Sequence, residues 1–133
     1  MEIANYVVLF LSGMILTFAG AMRLLKPAGS FCLQTYLAKP DIKLDDDIDM
    51  LSEMRGAGAL TLLAGLVILA GLASTEVRPT SFAVAALIFL GFGFGRTVSL
   101  ALDGRPNRDV VNGTITELLF GAINLGFLLI LLM

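Results

Sequence analysis

Four long apolar stretches alternate with polar segments along the chain, and almost every charged residue lies in the polar segments. Each apolar stretch is about 20 residues long, which at a rise of about 1.5 Å per residue matches the roughly 30 Å hydrocarbon core of a bilayer. The stretch Leu60–Ala73 holds a single weakly polar residue, so it lacks the polar face that a helix of a soluble bundle would show. The pattern predicts four membrane-spanning helices, over Ile3–Met22, Met54–Ser74, Ser81–Leu102 and Thr114–Met133.

The polar segments predict how these helices are connected. One long connection, from Ala28 to about Glu53, separates the first two helices, whereas the other two connections are short turns. Thr114 and Glu117 have the spacing of a capping box, which predicts that the fourth helix starts at Thr114. We therefore predict an all-α fold, a four-helix transmembrane bundle in which residues 1–133 form one domain with a long loop between helices 1 and 2.

Composition strengthens the membrane assignment and removes several kinds of chemistry. Apolar residues make up 57% of the chain, more than the roughly half that is usual in a soluble domain. There is no histidine, which excludes histidine-ligated haem and metal sites and histidine base catalysis. Asp45, Asp47 and Asp49 alternate like the start of an EF-hand loop, but Met50 stands where that loop requires glycine. We predict no cofactor and no metal site.

The remaining polar residues converge on one side of the predicted membrane domain. Helices that alternate in direction bring the ends of helices 1 and 3 to the starts of helices 2 and 4. Arg96 and Glu117 lie at similar predicted depths beside the same turn, so we expect them to form an ion pair, since unpaired charge in lipid is costly. The predicted cluster, either a pocket for an anionic or polar ligand or a structural ion-pair network, comprises Glu53, Arg55, Arg96, Ser99, Asp103, Glu117 and Asn124.

Small residues recur at helical spacing within the apolar stretches. Helices in lipid associate by close backbone approach, which small residues permit. The run from Gly91 to Gly95 lies inside an apolar helix with no strand before it, so it is not a nucleotide-binding loop. The glycines predicted to mediate helix packing are Gly13, Gly20, Gly58, Gly65, Gly91, Gly95 and Gly121.

Two segments of the chain, 52–58 and 95–106, resemble the signatures of a known family. The segment 52–58, Ser-Glu-Met-Arg-Gly-Ala-Gly, resembles a Glu-x-Arg-x-x-Gly signature. The segment 95–106, followed by Glu117, resembles a Gly-Arg…Ser…Asp-Gly-x-Pro…Glu pattern. Together they resemble the bacterial family of small four-helix membrane proteins known as domain of unknown function 4345, with a distant similarity to the DoxX-like group. The resemblance implies the four-helix fold and no established activity.

Two functions remain open from the sequence. The glycine-lined faces, the bare fourth helix and the lack of a nucleophile–base pair favour a non-enzymatic scaffold, an accessory subunit or homo-oligomer of a larger membrane complex. The alternative is a binding protein or transporter for a small anionic or polar-headed molecule, such as a lipid or quinone, near Arg55, Arg96 and Glu117. The expected surroundings are the lipid bilayer, and nucleic acid is not an expected partner.

The distribution of basic residues predicts the orientation in a bacterial inner membrane. Only Arg78 lies in the turn on the opposite side, and the positive-inside rule places the more basic side in the cytoplasm. The long loop and the Asp103–Pro106 turn are then cytoplasmic, and both termini periplasmic. Seven of the nine Lys and Arg residues flank these two connections: Arg23, Lys26, Lys39, Lys43, Arg55, Arg105 and Arg108.

Overall fold

The computed structural model describes residues 2–27, 47–106 and 108–133, and these residues form four α-helices. In chain order the helices are α1 (Glu2–Leu25), α2 (Ile48–Ala73), α3 (Arg78–Leu102) and α4 (Arg108–Leu132). Each is long enough and apolar enough to cross a membrane. The predicted all-α transmembrane fold is therefore confirmed, while Cys32, Lys39 and Lys43 lie outside the described residues.

The second and fourth helices begin six residues earlier than predicted. The carboxylate of Asp47 accepts a hydrogen bond from the backbone N–H of Met50 at 3.0 Å, so α2 starts at Ile48 and not at Met54. The predicted capping box at Thr114 is wrong, because the Thr114 hydroxyl donates to the carbonyl of Val110 within α4. Hydropathy marks the apolar part of a helix, and it misses polar turns that continue the helix outside the hydrocarbon.

The third helix also starts before its predicted boundary. It begins at Arg78, with Pro79 in the first turn, where the missing N–H of proline costs no intrahelical hydrogen bond. Its C-terminal end agrees with the prediction: the backbone N–H of Asp103 donates to the carbonyl of Ser99 at 2.8 Å. Gly104 then adopts a φ of +100°, which lets the chain turn towards α4.

The four helices pack as two helical hairpins, α1–α2 and α3–α4, and the interfaces between neighbouring helices differ in extent. The α1–α2 and α3–α4 pairs have the most extensive contacts, α2 and α3 join the two pairs, and α1 and α4 touch at few positions. A core of apolar side chains fills the centre, where the rings of Phe82 and Phe127 stack at 5.5 Å between centroids and those of Phe89 and Phe120 lie at 5.4 Å. The bundle therefore does not have four equivalent interfaces between neighbouring helices, because the interface between α1 and α4 has few contacts. We call this interface the sparsely closed side of the bundle.

Four of the predicted packing glycines bring α1 and α2 into backbone contact. A Cβ atom added at Gly20 would collide with the backbone of Leu62, and one added at Gly65 would collide with Thr17. A Cβ at Gly58 would collide with the backbone of Leu24, and one at Gly13 would collide with the side chain of Leu69. The α1–α2 interface therefore depends on small residues, as predicted.

On α3 the packing glycine differs from the predicted ones. A Cβ at Gly93 would meet the side chain of Leu118 at 2.6 Å, whereas a Cβ at Gly91 or Gly95 would meet no described atom within 4 Å. Within the described chain Gly91 and Gly95 contact no neighbouring helix, because α3 turns the opposite face towards α4, and their role in helix packing stays a prediction. On α4, Gly121 packs against Leu90 as predicted.

Candidate functional site

The predicted ion pair between Arg96 and Glu117 is present. Nη1 of Arg96 lies 3.1 Å from Oε1 of Glu117, and the two side chains are 23% and 17% exposed. Arg96 stands six residues before the end of α3 and Glu117 nine residues into α4, or roughly 9 Å and 14 Å along the two helices. The pair thus joins α3 to α4 well inside the predicted membrane span.

Further groups from α1, α3 and α4 surround this pair. Arg23, near the end of α1, lies close enough to Glu117 for a favourable charge–charge interaction. Its guanidinium carbon is 5.4 Å from the centre of the Phe92 ring on α3, a cation–π distance. A Cβ atom at Gly113 would lie 2.9 Å from Nη1 of Arg96, so the small residue on α4 leaves room for that guanidinium.

The other predicted charges do not join this pair. Arg55 is exposed, and its Nη1 donates to the backbone carbonyl of Leu24 at the end of α1. Glu53, Ser99 and Asp103 are also exposed. The carbonyl of Ser99 and the N–H of Asp103 serve the end of α3 as described above. The sequence predicts that five charged residues form one cluster. In the structure only Arg96 and Glu117 of these five form an ion pair in the described contacts, and Arg55 and Asp103 make separate contacts at the helix ends.

Asn124 joins α4 to α1 at the sparsely closed side of the bundle. Its side chain is fully buried, and Nδ2 donates both to Oγ of Ser12 on α1 and to the carbonyl of Phe120, each at 2.8 Å. Ser12 is also fully buried. We call the interface formed by Ser12 and Arg23 of α1 with Glu117 and Asn124 of α4 the α1–α4 seam.

Two buried oxygens on α4 lack a hydrogen-bond donor. Among the residues that the structure describes, neither Oε2 of Glu117 nor Oδ1 of Asn124 has a partner, and both atoms are shielded from solvent. The residues stand seven positions apart, two helical turns, and so project from the same side of α4. A buried hydrogen-bond acceptor without a donor lowers the free energy of unfolding by about 1–3 kcal/mol. Both unpaired oxygens lie in the α1–α4 seam, so this interface is less stable than a fully hydrogen-bonded one would be.

The sequence did not predict the most buried charge of the described chain, Arg78. Its side chain is 4% exposed, and Nη1 lies 3.0 Å and 2.9 Å from the two carboxylate oxygens of Glu2. Nε donates to the carbonyl of Gly71 at 3.2 Å, and the guanidinium carbon lies 4.5 Å from the centre of the Tyr6 ring. Arg78 therefore ties together the start of α1, the end of α2 and the start of α3.

Topology could have indicated the Arg78–Glu2 contact. In an up-and-down bundle, the start of α1 and the start of α3 lie on the same membrane side, so an acid at residue 2 and a base at residue 78 are within reach. In the sequence Arg78 indicates only the orientation, as the one basic residue opposite the charged side. Ser81, also fully buried, donates to the carbonyl of Val67 and gave no signal beyond its small size.

These polar contacts do not form a metal centre among the described residues. Within residues 2–27, 47–106 and 108–133, no group of three or more His, Cys, Asp or Glu residues could hold a metal ion. What the arrangement offers is a charge-neutral ion pair, a buried amide and two unpaired acceptors along one seam. Such groups can fix helix positions or accept hydrogen bonds from an uncharged molecule.

Comparison with known proteins identifies the family and leaves the activity undefined. The chain has no detectable match to a curated protein or to a solved structure. The family model described as "Domain of unknown function (DUF4345)" matches residues 5–128, nearly the whole of the four helices. The predicted family is thereby confirmed: this four-helix chain, with its α3–α4 ion pair and glycine-lined α1–α2 interface, belongs to the DUF4345 family.

Proposed function

We propose that this protein is a membrane scaffold that works by helix contact and associates with a second copy of itself through the outer side of α3. We call this surface, formed by Gly91, Gly95 and Ser99, the α3 glycine face. The observation that carries the proposal is that all three small residues are exposed in the single chain. A Cβ at either glycine would meet no described atom within 4 Å.

The α3 glycine face has the shape that a second helix requires. Residues 91, 95 and 99 follow one another at four-residue spacing, so they form a shallow groove along one side of the helix. Phe94, which is 69% exposed, flanks this row, and Leu87, which is 71% exposed, lies at its start, one turn before Gly91. A small residue at every fourth position in an apolar segment is the pattern by which transmembrane helices associate closely.

The same chain supplies an internal precedent. On the buried faces of α1 and α2, Gly13 and Thr17 are four residues apart, as are Thr61 and Gly65. There the spacing accompanies close packing of the two helices, since a Cβ added at Gly65 would collide with the backbone of Thr17. The α3 glycine face repeats this spacing, and none of the residues that the structure describes occupies it, which supports an intermolecular contact over a merely lipid-facing surface.

We further propose the location in a bacterial inner membrane with the long loop in the cytoplasm. The four apolar helices support membrane insertion. Seven of the nine Lys and Arg residues flank the loop side and only Arg78 lies in the opposite turn, which supports a cytoplasmic long loop under the positive-inside rule.

Energy transfer between differently labelled copies in lipid vesicles tests the scaffold proposal. The wild-type chain should show transfer that depends on the protein-to-lipid ratio and saturates. Replacing Gly91 and Gly95 together by leucine should weaken association at least about tenfold, equivalent to about 1.4 kcal/mol, because the side chains fill the groove.

Gly56→Leu is the matched control. Gly56 is an exposed helical glycine on α2, and a Cβ there would also meet no described atom within 4 Å. This variant should associate like the wild type. Equal transfer in the Gly91→Leu/Gly95→Leu and wild-type chains, or a wild type that stays monomeric at every ratio, would overturn the proposal; circular dichroism and thermal melting establish that each variant is folded.

A further inference from the structure

The α1–α4 seam has few interhelical contacts and contains buried polar atoms that lack a hydrogen-bond partner. α1 and α4 touch at few positions, and the Asn124–Ser12 hydrogen bond links them inside the bundle. Asn124 is fully buried, yet its Oδ1 has no donor among the described residues, and neither has Oε2 of Glu117. The seam therefore presents acceptors at the place where the bundle is least tightly packed.

The position of these acceptors restricts the kind of molecule that could satisfy them. The helix α4 has 25 residues, and Glu117 and Asn124 lie three and four residues on either side of its midpoint, residue 120. Both are thus within about 6 Å of the middle of the helix along its axis. An ionic headgroup is strongly disfavoured at that depth, and the charge of Glu117 is already matched by Arg96.

From these observations we infer that the α1–α4 seam is a binding site for an uncharged, membrane-soluble molecule with a hydroxyl donor. The hydroxyl donates to Oδ1 of Asn124, and the apolar body of the molecule lies between α1 and α4. Because this oxygen is shielded in the closed structure, binding requires the seam to widen. The site does not depend on the self-association proposed above, which uses the opposite kind of surface, an exposed and apolar one.

The test compares 4-octylphenol with its methyl ether, 4-octylanisole, which has the same apolar body and no donor. The full chain, labelled with ¹⁵N in a detergent free of hydroxyl groups, is titrated with each compound. The side-chain amide signals of Asn124 should shift saturably with the phenol and not with the ether. The side-chain amide of Asn112, an exposed asparagine in the first turns of the same helix, should stay in place.

Two variants make the result independent of spectroscopy. In equilibrium dialysis the wild type should retain the phenol at least tenfold more strongly than the ether. Asn124→Leu, which replaces the amide by an apolar side chain of similar size, should lose that preference, whereas Asn112→Leu should keep it.

Three outcomes would overturn the inference. The ether could shift the Asn124 signals as far as the phenol does, or the Asn112 signals could move in parallel with those of Asn124. Alternatively, the Asn124 amide could exchange with water before any addition and remain unchanged by the phenol, which would identify water as the donor. The first titration is made on the wild type, so the inference stays testable if Asn124→Leu does not fold.

Discussion

At the scale of single residues, two arginines within the bundle, Arg78 and Arg96, each have their charge balanced by a carboxylate, but in different surroundings. Arg78 is nearly inaccessible and shares its donors between a carboxylate and a backbone carbonyl. Arg96 keeps about a quarter of its side chain exposed and pairs with Glu117 through one described contact. A guanidinium presents five N–H donors in a fixed plane, so it can join several helix ends at once, as Arg78 does, without leaving its charge unbalanced.

The contribution of the Arg96–Glu117 pair can be measured by neutralising the acid. Glu117→Gln leaves Arg96 without its counter-charge inside the predicted membrane span, so we expect thermal unfolding in detergent to show a loss of about 2 kcal/mol. Asp109→Asn is the control, because Asp109 is an exposed acid in the first turn of the same helix. Unchanged melting of both Glu117→Gln and Arg96→Gln would show that the pair contributes nothing to the fold.

At the scale of helices, the bundle has two kinds of interhelical contact, which differ in how well they tolerate an added side-chain atom. The α1–α2 interface is built from backbone approaching backbone at glycine, as at Gly20 and Gly65. The α3–α4 interface is built largely from side chains, including the Phe89–Phe120 ring contact and leucines packed over Gly93 and Gly121. Side chains can shift to accept an added methyl group, whereas a backbone held by two helices cannot.

Substituting alanine at Gly20 tests this difference. The added Cβ would collide with the backbone of Leu62, so Gly20→Ala should lower the free energy of unfolding by about 1–3 kcal/mol. Gly56→Ala, on an open surface of α2, should be neutral or slightly stabilising, because alanine favours the helix over glycine. Equal melting temperatures for the two variants in the same detergent would contradict the close backbone approach of α1 and α2.

At the scale of the whole molecule, the uneven closure of the bundle assigns separate roles to its surfaces. The α1–α2 pair is tightly joined, the outer side of α3 carries the exposed glycine face, and α4 buries only Gly121 and Asn124 fully. The proposed self-association and the proposed seam site therefore occupy different parts of the molecule, and a variant in one should leave the other intact.

Orientation is a property of the whole chain and follows from its charge distribution. We expect Cys32, the single cysteine, to react with a membrane-impermeant maleimide only after the inner membrane of intact cells is opened. Cys32 lies outside the described residues, so a second position makes the test independent of its surroundings. Glu76→Cys, in a Cys32→Ser background, lies in the exposed turn between α2 and α3 and should react without opening the membrane. The reverse labelling pattern would place the long loop outside the cytoplasm.

The sequence by itself determined the number of helices, their membrane character and the family. These follow from the length and polarity of contiguous segments and from short signatures, which are local properties of the chain. The pairing of Arg96 with Glu117 was also predictable, since both residues stand inside apolar helices that flank one turn and an intramembrane charge requires a partner.

The tertiary structure decided which face each helix turns inward. In a soluble bundle the polar face of a helix marks its outer side, but in a bilayer both sides are apolar, so periodicity does not fix the rotation of a helix. For this reason the sequence does not reveal that Gly93, and not Gly91 or Gly95, faces α4 within the chain. The same reason hid the partners of Arg78 and the unpaired oxygen of Asn124, because both depend on the rotation and register of helices distant in the chain.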